Sequence, residues 1–520
     1  MSAVPSDDAS QSRRSREGEL PPRHGGVPTS LRRLSNNEAY QLALYTQGQY
    51  RGTSVSCRYV VPQGLGDAEL RRILTAAIAQ TVLQHPMLQV AIMNADSKKP
   101  NWVKLETLNL NQHVSWRCFG ASDFEASFQE TVTSELDAPF PELETRPGWR
   151  IVITHQEPLD FLEILFTWNH PHADGISGKK FHEDLRRNLI GVKTDEVDKF
   201  LLHGGIVRLP ESPNLPPRIE DLAKLPITPM YTLKSVWKEF GPAFLNVDPS
   251  QAHWAPIRTS PYKTQLRVFT IENAILSKAL AICRQKKTTL TGLFHGLALV
   301  SLALRLGADA ATEFATKTAV DMRRFLPSRP DKFPWLVPEQ TIGNYVTVMG
   351  HHFSADLVAG IRSKLPATAD KEPLSEELID QVWSIAATVR QEIQGRLDMG
   401  LKNDIVGLMR FVGDWRTQAS DTAQKPREYS VFVTNLGGIG EVAQPASSPL
   451  PDTQGNAWSI KRAQFSVSAE VTSAALMISI MSAAGGQLCV GVTWQDCVLS
   501  PALGEGFTND LERWFTQIGR

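Results

Sequence analysis

The chain has 520 residues, 42% of them hydrophobic and 21% charged, and 54 Lys and Arg against 55 Asp and Glu leave a net charge of -1. That length suits about two to four domains with cores that need no disulfide or metal staple. The balanced charge excludes a basic nucleic-acid footprint spread over the chain. Five scattered cysteines (Cys57, Cys118, Cys283, Cys489, Cys497) without a CxxC pair exclude a disulfide framework and a zinc ribbon. With no apolar leader and no apolar run of about 18 residues, the expectation is a cytoplasmic, monomeric protein without a transmembrane segment.

Residues 1–30, polar and rich in Ser, Pro and Arg, read as a disordered tail, with Arg13, Arg14 and Arg16 as solvated charge. Ser35 or Asn36 caps a short helix carrying Glu38, Tyr40, Leu42 and Leu44. Asp67 is expected to cap a clearer helix, since Leu70, Ile73, Leu74, Ala77, Ile78 and Leu83 recur at three- and four-residue spacing and Pro86 stops the run. Strands are expected over 88–93, 149–154 and 161–168, and a helix from about Ser177. Prolines 210, 213, 216, 217, 226 and 229 mark 205–230 as an extended crossover between a first half, 31–204, and a second, 231–520.

Past the crossover the pattern gives strands over 266–271, 314–320, 345–351, 430–434, 465–470, 475–481 and 488–493. Helices are expected over 275–282, 290–306, 375–394, 401–412 and 503–518. Strands and helices mix without a strict βαβ rhythm, which makes each half mixed α/β.

One segment carries chemistry: Phe166-Thr-Trp-Asn-His170-Pro-His172-Ala-Asp174-Gly175, a His and an Asp four apart at the end of a strand, with Gly before a helix. Chance alone gives about 0.6 HxxxD matches in this composition, and requiring the Gly lowers that to about 0.04. A second match, His352 to Asp356 with the doubled His351, has Leu357 in place of Gly and no clear helix start beyond it, and reads as a strand end with a surface Asp. A neutral imidazole suits proton removal from a hydroxyl or amine attacking a carbonyl. Asp174 either orients that imidazole or holds the loop by pairing with an Arg, and spacing does not separate the two. There is no G-x-S-x-G elbow, no Walker A loop and no GxGxxG. His170, His172 and Asp174 suggest metal ligands, yet no distant His joins them, so no metal is expected. His172, opposite His170 in an extended segment, and His295, on an apolar helix, read as structural.

The motif Asn-His170-Pro-His-Ala-Asp174-Gly175 resembles the HxxxDG signature of the CoA-dependent acyltransferases, which include chloramphenicol acetyltransferase, the plant BAHD enzymes and nonribosomal condensation domains. The resemblance is nearest to the fungal alcohol acetyltransferases. The opening Leu31–Glu38, His85-Pro-Met-Leu88, Val320-Asp321-Met-Arg323 with Arg324, Gly343-Asn344 and Val433-Thr434-Asn435-Leu436-Gly437 follow in that family's order. It implies two chloramphenicol-acetyltransferase-like domains with an active-site tunnel between them, acetyl-CoA as cosubstrate with no permanently bound cofactor, and a small-molecule alcohol as acceptor. His170 would be the general base, Asp174 and Gly175 loop supports, and Arg323, or second Arg324, the partner of Asp174. Asn435 or Thr434 would donate to the oxyanion. The plain alternatives are a surface salt-bridge group for Asp321, Arg323 and Arg324, and a turn cap for Asn435. Asn169 replaces the first His of the doubled-His version and the plant D-F-G-W-G motif is absent, Gln464-Phe465-Ser466-Val467-Ser468 being the nearest stretch. Transfer to an amine, transfer from a carrier protein, or a non-catalytic binding role remain alternatives.

Overall fold

A computed structural model describes residues 29–191, 203–241, 248–366, 372–440 and 458–520. The first helix, Asn36–Thr46, begins at Ser35, whose hydroxyl accepts from the Glu38 backbone N–H while the Glu38 carboxylate accepts from the Ser35 N–H. This reciprocal cap satisfies two of the orphan donors at a helix start. Arg32 grips Glu38 with two guanidinium nitrogens at 2.7 and 2.8 Å, and the Trp102 indole donates to it at 3.2 Å. The helix entry is therefore fixed from several sides, and with it the direction of Asn37.

Two sheets organise the chain. The first has the strand order Ser459–Val467, Gly52–Val60, Phe161–Asn169, Trp149–Gln156, Val114–Phe119. Its neighbours are antiparallel apart from the last, parallel pair. Its core, with helices Asp67–Gln84 and Gly175–Gly191, buries Trp102, Trp149, Phe166, Trp168 and Phe181. The second sheet runs Thr264–Ile271, Leu488–Gln495, Leu476–Ala483, Val431–Ile439, Phe314–Asp321, Val346–Phe353. Strand Val431–Ile439 is parallel to both its neighbours. Helices Leu290–Arg305, Glu376–Asp398 and Pro501–Gly519 cover it, around Phe294, Trp383, Trp494, Trp514 and Phe515. Each fully buried side chain of this size contributes about 1.5–3 kcal/mol by leaving water.

One strand crosses between the halves. Ser459–Val467, far along the second half in sequence, pairs antiparallel with Gly52–Val60 at the edge of the first sheet. In the Pro-rich stretch, Ile206–Arg208 pairs with Thr107–Asn109, and the rest is extended apart from short helical turns.

Several local expectations need correction. Gly66, not Asp67, is the N-cap of the second helix, whose first turn holds Asp67. Residues 86–88 form a 3-10 turn, so the strand expected from 88 begins at Val90. The helix expected over 401–412 shrinks to Ile405–Leu408, because Gly400 and Asn403 adopt left-handed backbone and Asp404 starts a new cap on the Val406 N–H. The strand expected at 465–470 ends at Val467. The second HxxxD match does open a helix, Ala355–Lys364, behind Ser354, although Asp356 lies exposed. Residues 1–28 lie outside the described part, and with them most of the expected tail.

Candidate active site

A cavity of about 2020 Å³ lies between the sheets, lined by His170, Asp174 and Gly175 of the first half and by Lys317, Asp321, Thr434 and Asn435 of the second. Strand Phe161–Asn169 delivers the motif. Its Trp168 is wholly buried and donates its indole N–H to the Ala173 carbonyl at 2.7 Å, which closes the loop over the strand end. Residues 170–172 are a turn, not the extended segment expected. His172 is nevertheless structural. Its Nε2 accepts from the Gly148 N–H at 3.1 Å and its ring meets Trp102 edge-on at 4.7 Å. His170, His172 and Asp174 thus face different partners. Among the described residues, the His/Cys/Asp/Glu group close enough to share an ion is Cys118, His155 and Glu157.

Asp174 is fully engaged away from the imidazole. Arg323 donates to both its oxygens, at 2.7 Å to Oδ2 and 3.1 Å to Oδ1. Oδ1 also accepts from the Ser177 N–H and hydroxyl, and Oδ2 from the Tyr345 N–H. Asp174 and Arg323 are each only 2% exposed. Burial raises the carboxyl pKa, but the guanidinium and these donors outweigh it, and the net shift is downward. The alternative of direct imidazole orientation by Asp174 is not the arrangement found. Arg323 also holds Asp321, at 3.1 Å, and the Gly343 carbonyl, at 3.0 Å, whereas Arg324 is exposed. One guanidinium therefore ties the motif loop of the first half to two segments of the second.

His170 is held through its backbone. Asn344 donates to the His170 carbonyl at 3.0 Å and lies 3.2 Å from ring Nδ1, while its own Oδ1 accepts from Asn37 at 2.8 Å. With Asn344 on the Nδ1 side, Nε2 is the ring nitrogen without a protein hydrogen-bond partner among the described residues. Burial lowers the imidazole pKa below 6.5, against the opposing charges of Asp174 and Glu470. The Tyr50 ring lies 5.7 Å from the imidazole.

Gly175 is the first residue of its helix, and space rather than backbone conformation is what requires it. A Cβ there would lie 2.8 Å from Leu436 Cδ2 and 3.2 Å from Phe465 Cζ. Gly175→Ala is expected to lower stability by about 1–3 kcal/mol, the usual cost of overpacking, read as a shifted urea midpoint at unchanged slope.

Of the two oxyanion candidates, Asn435 donates one amide N–H to Thr291 at 3.3 Å and accepts from the Gly437 N–H through its Oδ1 at 2.8 Å, so two local bonds hold its side chain in a turn. Thr434 lines the same wall, with no hydrogen-bond partner for its hydroxyl among the described residues. Sequence reasoning missed Asn37 and Ser177. Ser177 was legible, because Asp three residues before a polar residue at a helix start is a capping pattern. Asn37 gave no signal, since its partner Asn344 is 307 residues away.

Residues 58–349 match the alcohol acetyltransferase family. The chain belongs to that family. This acyltransferase is 28% identical over 516 residues to the probable alcohol acetyltransferase FCK4 of Fusarium pseudograminearum, covering 95% of this chain and 97% of that one. It is 24% identical over 481 residues to the probable alcohol acetyltransferase crmB of Aspergillus fumigatus, covering 89% and 94%. Among solved structures it superposes on TRI3 trichothecene 15-O-acetyltransferase from Fusarium sporotrichioides with a TM-score of 0.66 at 16% identity, covering 94% of each chain. On the condensation domain of the monacolin K polyketide synthase MokA the TM-score is 0.54 at 11% identity, covering 95% and 97%. These two likenesses establish the two-lobed, chloramphenicol-acetyltransferase-like fold.

Proposed function

We propose that this family member transfers an acyl group, acetyl first among the candidates, from acyl-CoA to the hydroxyl of a small-molecule alcohol, with His170 as general base. The observation that carries this reading is the ring of His170, set in a cavity shared by both halves with Asn344 on its Nδ1 side and no protein partner at Nε2 among the described residues. Nε2 takes the proton as the hydroxyl oxygen attacks the thioester carbonyl, forming the new C–O bond. The resulting oxyanion is stabilised by a hydrogen bond from Thr434, in preference to Asn435. Collapse breaks the C–S bond, and the proton passes from His170 to the departing thiolate. No acyl-enzyme is required, because the thioester is already activated. Asp174 acts as a loop support bound to Arg323.

The test is direct: purified protein, acetyl-CoA and a panel of alcohols, followed by free thiol release and by mass spectrometry of the ester. Thiol release with some alcohol, absent from His170→Ala, supports the reading. Release no greater than that control with every acceptor and acyl chain overturns it. A pH prediction follows from burial. The base works only when neutral, so kcat/KM rises with pH through the pKa of His170 and then levels. Because burial lowers that pKa, the rise should be centred below pH 6.5. A pH–rate profile with its midpoint above 6.5 contradicts the assignment.

A further inference from the structure

Five Lys and Arg side chains line the cavity: Lys98, Lys238, Lys317, Arg396 and Lys425. Four have a carboxylate within ion-pair distance: Lys98 with Asp414, Lys238 with Glu428, Arg396 with Asp404, and Lys425 with Glu239. Lys317 is the exception. Only 8% exposed, it has no ion pair and no hydrogen bond among the described residues. Its ammonium lies 4.5 Å from the Phe432 ring centre and 5.5 Å from that of Tyr429. Those faces stabilise the positive charge but accept none of its three N–H donors in the manner of an oxygen.

A buried ammonium without an oxygen partner is costly, and in folded chains such groups are nearly always paired. Apolar side chains would fill this wall without that cost. The strand explains where the ammonium points. Along Phe314–Asp321, residues 317, 319 and 321 line the cavity, whereas Thr316 and Thr318 turn to His295 and His351 behind the sheet. Lys317 lies about 13 Å along the strand from Asp321, at ~3.3 Å per residue. Asp321 is bound to the same Arg323 that holds Asp174, the support of the loop that carries His170.

We propose that Lys317 binds a carboxylate carried by the acceptor alcohol at the end remote from the reacting hydroxyl, so that the favoured acceptors are hydroxy acids. This rests on the acyl-transfer reading of His170 and names the substrate class for it. The charge balance favours a single carboxylate over the phosphates of CoA. Asp321, Glu428 and Glu470 line the same cavity. One free ammonium among them matches one negative charge, while these carboxylates repel a cluster of several. Burial lowers the ammonium pKa and the charges of Glu470 and Glu428 oppose that shift, which helps the side chain keep its proton.

The experiment compares omega-hydroxyoctanoate with octanol, two acceptors of equal length differing in the carboxylate. Binding of each is measured by calorimetry without acyl-CoA, and kcat/KM for each with acetyl-CoA, on the wild-type chain and on Lys317→Met and Lys317→Arg. Wild type should bind the hydroxy acid at least tenfold more tightly than octanol. Lys317→Met should lower that preference at least tenfold, and Lys317→Arg should retain most of it. Melting temperatures report whether each variant folds, and the wild-type preference tests the proposal even where Lys317→Met does not. The proposal is overturned by a wild type without preference, by a preference that survives in folded Lys317→Met, or by a variant whose only change is a raised KM for acetyl-CoA. Lys317-dependent binding without thiol release would overturn the acyl-transfer reading and leave the carboxylate site standing.

Discussion

Arg323→Met is expected to destabilise the protein by about 3–5 kcal/mol, the range for stripping the partner from a buried charge. Asp174 would keep its burial and lose both guanidinium bonds, and the Gly343 carbonyl and Asp321 would lose a donor with it. Urea denaturation measures the loss. The double variant Asp174→Asn with Arg323→Met should regain part of it, because no buried carboxylate is then left alone. Asp174→Asn alone should lower both activity and melting temperature, since the ion pair holds the loop that carries His170. Activity lost at an unchanged melting temperature would point instead to a direct action of Asp174 on the imidazole.

His170→Ala is expected to show the opposite pattern. Removing a general base costs about 10²–10⁴-fold in rate. Thiol release should fall by about a thousandfold while the melting temperature stays near that of wild type, because the Asn344 bond goes to the His170 backbone carbonyl, which alanine keeps. The two variants together separate chemistry from support: one loses rate without stability, the other stability first and rate as a consequence.

These contrasts show what the sequence made legible. The HxxxDG segment is local, so its strand and helix follow from a dozen neighbouring residues, although residues 170–172 turn where an extended segment was expected. The pairing of Arg323 with Asp174 came from the family resemblance, because nothing within either segment names the other across 149 residues. The interior strand Gly52–Val60 went unseen. Thr53, Ser54 and Ser56 interrupt its apolar pattern, and all three are buried because the strand has neighbours on both edges and helices packed against it. Propensity arguments assume a half-exposed strand and fail there. The over-long helix expected at 401–412 failed for another reason: apolar spacing continued, while the left-handed residues Gly400 and Asn403 broke the backbone. Asn435 and Thr434 stood as equal oxyanion candidates in sequence, and the two local bonds of Asn435 became visible only once the turn at Gly437 was built.

The strand Ser459–Val467, seated at the edge of the first sheet, bears on how such enzymes can be recombined. A chimera joined in the Pro-rich stretch would combine one parent's first half with a foreign edge strand, so that Gly52–Val60 met a partner it never evolved beside. The junction would also place Asp174 and Arg323 under different ancestry. Swapping specificity between relatives is therefore better attempted by exchanging cavity-facing residues of the second sheet one strand at a time than by trading halves.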